Sequence, residues 1–222
     1  LEQEPRWHEA GDKMLVFVHR REALDLLKSE IERRTLRRVG VFHEDLTPAA
    51  RDLEVAQFAL PEGPTVLIST ESGGEGRNFE FCRGLVLFDL PWNPVLVEQR
   101  IGRLDRISRK RPVEVTYFVP ERGLGAQVVR LYEALAVFRE PLGGLDRSLR
   151  HVEEAIRAAT GSAAPRLDID AVVEETHETR RRMNRALYHD LHRNRYRPEL
   201  APGILSRIPE DLEDRTAEVV LE

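Results

Sequence analysis

The chain has 222 residues, of which 41% are hydrophobic, and its formal net charge is −5. This length fits one globular domain of about 150 residues with an appendage. The negative charge excludes a histone-like polycation, although clustered arginines can still form a local anion site. No apolar run approaches the roughly 20 residues that cross a bilayer, and the first residues lack a secretory pattern, so we expect a cytoplasmic protein with no membrane partner. The single cysteine, Cys82, has apolar neighbours and is expected to be a buried structural thiol.

Apolar runs that predict strands alternate with helical patterns along the first two thirds of the chain. The runs are MLVFV (14–18), RRVGVFH (37–43), TVLIS (65–69), GLVLFDL (84–90) and VEVTYFV (113–119). Leu24, Leu27 and Ile31 follow the first run at helical spacing, and Thr47 with Pro48 predicts the start of a second helix. Continuous apolar strands imply a sheet that is covered on both faces. The pattern therefore predicts an α/β domain built on a doubly wound parallel sheet.

The last third of the chain has no strand-like runs. LDRSLRHVEEAIRAA (145–159) predicts an amphipathic helix, TGSAAP (160–165) a linker, and 169–196 a long charged helix. We therefore predict three parts, namely a leader or linker (1–11), the α/β lobe (12–145) and a mostly helical, arginine-rich C-terminal extension (146–222).

The charged helix carries two further signals. The run 180–197 holds seven arginines and two tyrosines, a composition that could follow a nucleic-acid backbone, although a helix packed on the domain is the favoured interpretation. His189 and His192 have the spacing of metal ligands, but no thiol or carboxylate pattern completes a set, and we predict no metal site.

The segment STESGGEGRNFEF (69–81) places three glycines directly after a predicted strand. Ligands of parallel α/β sheets collect beyond the carboxyl ends of strands. Glycines let the backbone approach a phosphate or a ribose without a Cβ in the way. A tight turn explains this segment equally well when it is considered alone.

The stretch WNPVLVEQRIGRLDRISRKR (92–111) predicts a helix that starts at Asn93 and Pro94. At 100° per residue, one face carries Val97, Ile101 and Leu104, and the opposite face carries Gln99, Arg103 and Arg106. Two guanidiniums one turn apart suit a phosphate whose charge rises in a transition state.

A solvated face is the alternative for this helix, and it is favoured when the helix is considered without context. In that interpretation Glu98, Arg100 and Asp105 are ion-pair partners on the surface. Gly102 indicates that the helix can end early and leave the second arginine on a turn.

Three segments, VLISTESGGEGRNF, FDLPWNP and EQRIGRLDRI, resemble in order and spacing the fifth and sixth motifs of superfamily-two nucleic-acid translocases of the Swi/Snf branch. The resemblance covers residues 12–140. It implies a RecA-like second lobe, which meets a first lobe across an ATP cleft and works with it along a nucleic-acid duplex. Where the family commonly continues with R-I-G-Q, this chain has Arg106, Ile107, Ser108 and Arg109, so the turn after the arginines differs and the glutamine is missing.

The resemblance also implies roles for single residues. It implies that Arg103 and Arg106 are catalytic and face the γ-phosphate, one of them as an arginine finger. The residues that it implies on the nucleotide side are Gly74, Glu75, Gly76, Asn78, Gln99 and Gly102. The residues that it implies at the nucleic acid are Ser69, Thr70, His43 and Arg51.

The chain lacks both a G-x-x-x-x-G-K-[ST] loop and a D-E pair placed to hold Mg²⁺. The resemblance assigns these parts, and with them the ATP-bound Mg²⁺, to the N-terminal RecA-like lobe of the same protein. We therefore predict an ATP-dependent helicase or translocase in the full-length protein and no hydrolysis by this chain alone. The implied partners are that lobe, DNA or RNA, and RNA polymerase as a further candidate.

Two other functions remain as alternatives. A nucleotide domain that acts alone is disfavoured, because the first strand-to-helix turn, VHRREAL, has no glycine. A non-catalytic RecA-like scaffold would hold nucleic acid or a partner protein through the basic C-terminal helix.

Overall fold

The computed structural model describes residues 7, 9–71, 78–105, 111–140, 149–161 and 166–193, with side chains as far as residue 185. Its strands are β1 (Met14–Val18), β2 (Gly40–Phe42), β3 (Val66–Thr70), β4 (Gly84–Leu87) and β5 (Glu114–Tyr117). Its helices are α1 (Arg21–Thr35), α2 (Pro48–Ala59), α3 (Pro94–Gly102), α4 (Leu124–Ala134), α5 (Arg150–Thr160) and α6 (Ile169–Arg193).

The five strands form one parallel sheet in the order β2-β3-β1-β4-β5. Every residue of β1 and β3 is buried, as strands covered on both faces must be. The predicted doubly wound α/β fold is confirmed. The chain crosses from one half of the sheet to the other between β3 and β4, which places Glu71, at the carboxyl end of β3, near the reversal of strand order, where open α/β sheets bind ligands.

The side chains of β1 alternate between two apolar clusters, one on each face of the sheet. Leu15 and Phe17 belong to the larger cluster, which also takes side chains from α2, α3, α4 and α5. Met14, Val16 and Val18 belong to the smaller cluster, which α1 covers. This alternation is the period of two that an extended strand imposes.

The predicted leader contributes one side chain to the smaller cluster. Trp7 is buried against β4, where a Cβ added to Gly84 would lie 3.1 Å from the indole ring. The guanidinium of Arg83 stacks over the same ring, 5.8 Å from its centre. Trp7 therefore packs on the sheet as part of its apolar core.

The apolar core continues past the predicted boundary between residues 145 and 146. Leu149, Val152 and Ile156 belong to the same cluster as the sheet. Leu167, just before α6, and Val172, in its first turn, belong to it as well. The chain divides into two compact units after His177. The stripe of apolar residues on α5 can only be buried against a neighbour, and the lobe provides one.

The second half of α6 exposes its described side chains. Arg180, Arg182 and Arg185 are all exposed, whereas the two tyrosines and His189 and His192 lie beyond the described side chains. None of the helices that the structure describes is long and apolar enough to span a bilayer.

Candidate nucleotide and nucleic-acid site

Helix α3 has the start and the apolar face that the sequence predicts. The side chain of Asn93 accepts a hydrogen bond from the amide of Val95 at 2.9 Å, and Pro94 occupies the first turn. Val97 and Leu104 are fully buried, while Gln99 is exposed. The helical part ends at Gly102, and Arg103 is its C-cap.

Arg103 lies next to the chain that follows the glycine-rich segment. The amide of Phe79 donates to the carbonyl of Arg103 at 2.8 Å, and Phe79 is anchored in the core. Asn78, one residue earlier, is exposed and accepts a hydrogen bond from the amide of Glu80. A Cβ added to Gly102 would meet no atom of the described residues within 4 Å. The structure therefore brings Asn78, Gly102 and Arg103 together.

Four residues predicted for the nucleotide side fall outside the described residues, namely Gly74, Glu75, Gly76 and Arg106. Their roles stay predictions. The described corner carries Arg103, which is partly buried, and its guanidinium is a group whose chemistry fits a phosphate.

Arg100 corrects the interpretation of α3 as a solvated face. Its side chain is only 1% exposed, and its Nε donates to the carboxylate of Glu71 at 2.8 Å. Its position could have signalled this burial, because residue 100 lies within about 40° of Leu104 on the helical wheel. The alternative interpretation expected Arg100 in an ion pair, as the structure has it, but on the surface, whereas the side chain is buried.

A cleft of about 520 Å³ opens above this ion pair at the carboxyl edge of the sheet. Its wall includes His19 and Arg20 after β1, the indole of Trp92, and the Glu153–Arg157 ion pair of α5. Basic, acidic and aromatic groups thus line the edge at which the fold is expected to bind ligands.

The hydroxyl groups predicted to contact nucleic acid are turned inward. Ser69 is fully buried and donates to the carbonyl of Thr70 at 2.9 Å. Thr70 is 2% exposed and donates to the carboxylate of Glu44 at 2.6 Å. A phosphate can accept a hydrogen bond from the Thr70 hydroxyl only if the bond to Glu44 breaks. Contact with nucleic acid at this position remains a prediction.

His43 and Arg51 stabilise the turn between β2 and α2. Arg51 donates to the carbonyls of Leu46 and Glu44, both at 2.9 Å. His43 is 4% exposed and accepts a hydrogen bond from the guanidinium of Arg21. Both predicted nucleic-acid residues therefore have internal partners in this structure.

We expect His43 to make the fold sensitive to mild acid. Burial lowers the pKa of His43 below its ordinary value of about 6.5, and the Arg21 guanidinium lowers it further, against the opposing carboxylates of Asp45, Glu44 and Asp25. Below about pH 6.5 the unfolded chain therefore binds more protons than the folded chain, and the free energy of unfolding falls as the pH falls.

Urea unfolding of the 222-residue chain between pH 7.5 and 5.5 measures this effect. His43→Gln is expected to lose less stability over that interval than the wild type does. His177→Gln, a change at an exposed position of α6, is the matched control. Equal losses in the wild type and in His43→Gln would show that this imidazole does not carry the pH dependence.

Comparisons with known proteins agree with this geometry. Residues 1–108 match the helicase conserved C-terminal domain. The RNA polymerase-associated protein RapA of Vibrio vulnificus (strain CMCP6) is 37% identical over 195 residues, which are 84% of this chain and 19% of that protein. RapA of Vibrio campbellii (strain ATCC BAA-1116) is 48% identical over 106 residues, 47% of this chain and 11% of that protein.

Solved structures give the same fold. The match to the SWI2/SNF2 ATPase core of Sulfolobus solfataricus in complex with dsDNA covers 72% of this chain and 32% of that chain. Its TM-score is 0.55 and the sequence identity is 21%. The match to the C-terminal part of the Fun30 ATPase domain covers 68% of this chain and 49% of that chain, with a TM-score of 0.50 and a sequence identity of 18%.

Residues 1–108 thus resemble a helicase conserved C-terminal domain, and the fold is the RecA-like fold found in the SWI2/SNF2 ATPase core. In sequence the chain resembles RapA. It spans only 11% to 19% of the length of the RapA proteins cited above.

Proposed function

We propose that this chain is the second motor lobe of an ATP-dependent nucleic-acid translocase of the Swi/Snf class. The observation that carries the proposal is the hydrogen bond between Phe79 and Arg103, because it holds the end of α3 beside the chain that leaves the glycine-rich segment. These are the two segments for which the resemblance implies contact with one nucleotide. A first lobe that holds ATP and Mg²⁺ would complete the site.

The residues of this chain then act in trans on a nucleotide bound elsewhere. ATP supplies the phosphoanhydride bond that is hydrolysed. Arg103 and Arg106 would stabilise the negative charge that develops at the γ-phosphate. Asn78, Gln99 and Gly102 would border the nucleotide, together with Gly74, Glu75 and Gly76. Closure of the two lobes would couple hydrolysis to movement along the nucleic acid.

Nucleic acid would be contacted at the carboxyl ends of β2 and β3, where Ser69, Thr70, His43 and Arg51 lie. The relatives named as RNA polymerase-associated proteins support RNA polymerase as a partner and the cytoplasm as the location. The neighbour solved with dsDNA supports a duplex track.

The test is the ATPase activity of the full-length protein with duplex DNA, single-stranded DNA and RNA. We expect at least one of these to stimulate turnover several-fold, and the 222-residue chain alone to be inactive, because its sequence has no phosphate-binding loop. A full-length protein that binds nucleic acid but hydrolyses no ATP would instead favour the scaffold, for which the exposed arginines of α6 are the candidate contact surface.

A further inference from the structure

The most deeply buried charge in the described part of the lobe is the guanidinium of Arg100. In addition to its bond with Glu71, its Nη1 donates to the backbone carbonyl of Asp89 at 2.9 Å. The group lies over the ring of Phe17, 5.2 Å from the ring centre. Arg100 therefore uses several of its donors and one face of its plane within the protein.

These contacts come from three adjacent strands. Phe17 belongs to β1, Glu71 follows β3 and Asp89 follows β4, and the three strands are neighbours in the sheet. The amide of His19, just after β1, donates to Oδ2 of Asp89 at 2.6 Å and closes the network. One side chain on α3 thus connects the carboxyl ends of the three central strands.

Stability alone is a poor explanation for this arrangement. A buried ion pair loses hydration that its attraction only partly recovers, and apolar residues of similar size often fill such a site equally well. The network is also incompletely satisfied, because Oδ1 of Asp89 is buried without a hydrogen-bond partner among the described residues and lies 3.7 Å from Nη1 of Arg100. The pair does fix the orientation of α3 relative to the end of β3, because the planar guanidinium meets its acceptors in one geometry.

The fixed geometry of the Arg100–Glu71 pair matters because each of its two residues adjoins a segment proposed to contact the nucleotide. Glu71 immediately precedes the glycine-rich residues 72–77. Arg100 precedes Arg103 by three residues, a rise of about 4.5 Å along a helix. The ion pair therefore ties the start of one proposed nucleotide segment to the helix that carries the other.

We propose that Arg100 is a positioning residue, which holds α3 and hence Arg103 in register with the carboxyl ends of β1, β3 and β4. This inference rests on the proposed function of Arg103. Arg100 itself does not touch the nucleotide in this scheme. Displacement of a catalytic group by about 1 Å can lower turnover about 100-fold, so loss of this register should act on kcat.

The experiment separates positioning from stability in the full-length protein. Arg100→Met leaves Glu71 unpaired and is expected to lower both the unfolding temperature and kcat. The double variant Arg100→Met/Glu71→Met removes both charges of the pair and should recover most of the unfolding temperature that Arg100→Met loses, although the acceptors of Asp89 lack Arg100 in both variants. Its nucleic-acid-stimulated kcat should nevertheless stay about 10- to 100-fold below that of the wild type. Its Kd for duplex DNA should stay within about twofold of the wild-type value.

A matched control is the ion pair of Arg83 and Glu114 at the opposite edge of the sheet, with a distance of 2.6 Å. Arg83→Met/Glu114→Met should keep the wild-type kcat. If the kcat of Arg100→Met/Glu71→Met returns together with its unfolding temperature, Arg100 is structural and the inference is overturned, while the proposed function stands. If the wild-type protein shows no stimulated ATPase, the proposed function fails, and this inference fails with it.

Discussion

Arg103→Ala in the full-length protein is expected to lower nucleic-acid-stimulated ATP turnover by about 1000-fold, the lower range for loss of an arginine finger. The reason is electrostatic, since a fixed guanidinium aimed at a phosphate costs no reorganisation when charge develops there. The fold should survive, because the hydrogen bond from Phe79 uses the backbone of Arg103, which alanine retains. The loss of stability should stay below about 1 kcal/mol.

Two variants sharpen this test. Arg103→Lys keeps the charge but loses the planar fork, and it should recover only part of the turnover. Arg130→Ala, at an exposed position of α4, controls for the loss of a surface arginine and should leave turnover unchanged. Arg106→Ala should behave like Arg103→Ala. Normal turnover in both Arg103→Ala and Arg106→Ala would refute the assignment of these arginines to the γ-phosphate.

The fold and the apolar face of α3 were predictable because they depend on local pattern. Apolar runs of strand length separated by helical stretches specify a parallel sheet, and side-chain order on a helix follows from its period. The sequence also places Asn93 and Pro94 at the start of α3 and Gly102 at its end, as the structure has them. These signals act over a few residues, so one sequence contains them in full.

The inward orientation of the predicted nucleic-acid residues was not predictable, because distant partners cause it. Thr70 is bonded to Glu44, 26 residues away in sequence, and the guanidinium of Arg100 reaches Glu71, 29 residues away. The spacing of residue types along the sequence does not indicate which distant side chains form such pairs. Motif order located the carboxyl edge of the sheet correctly, but it could not say which polar groups there already have partners.

Lys13 shows the same limitation at the other end of the sheet. It directly precedes β1, and its side chain is only 7% exposed. Its Nζ donates to the carbonyls of Leu60, Gly63 and Pro64 at 2.7, 3.0 and 3.1 Å, which fixes the turn between α2 and β3. Burial lowers the pKa of Lys13. All three donor hydrogens of the ammonium are therefore used, in a place where water has little access.

Lys13→Met is expected to destabilise the 222-residue chain by about 3 kcal/mol. Methionine fills the space of the stem but leaves the carbonyls of Gly63 and Pro64 without their donor, whereas the carbonyl of Leu60 keeps the amide of Gly63. A buried polar group without a partner costs about 1–3 kcal/mol, part of which solvent entering the turn would recover. The measurement is urea unfolding, in which the midpoint should fall while the slope stays constant. Lys28→Met, which breaks the half-exposed pair with Glu32 on α1 at 2.7 Å, is the matched control and should cost less than about 1 kcal/mol. Equal losses in the two variants would mean that the three carbonyls find other partners, and that Lys13 does not hold this turn.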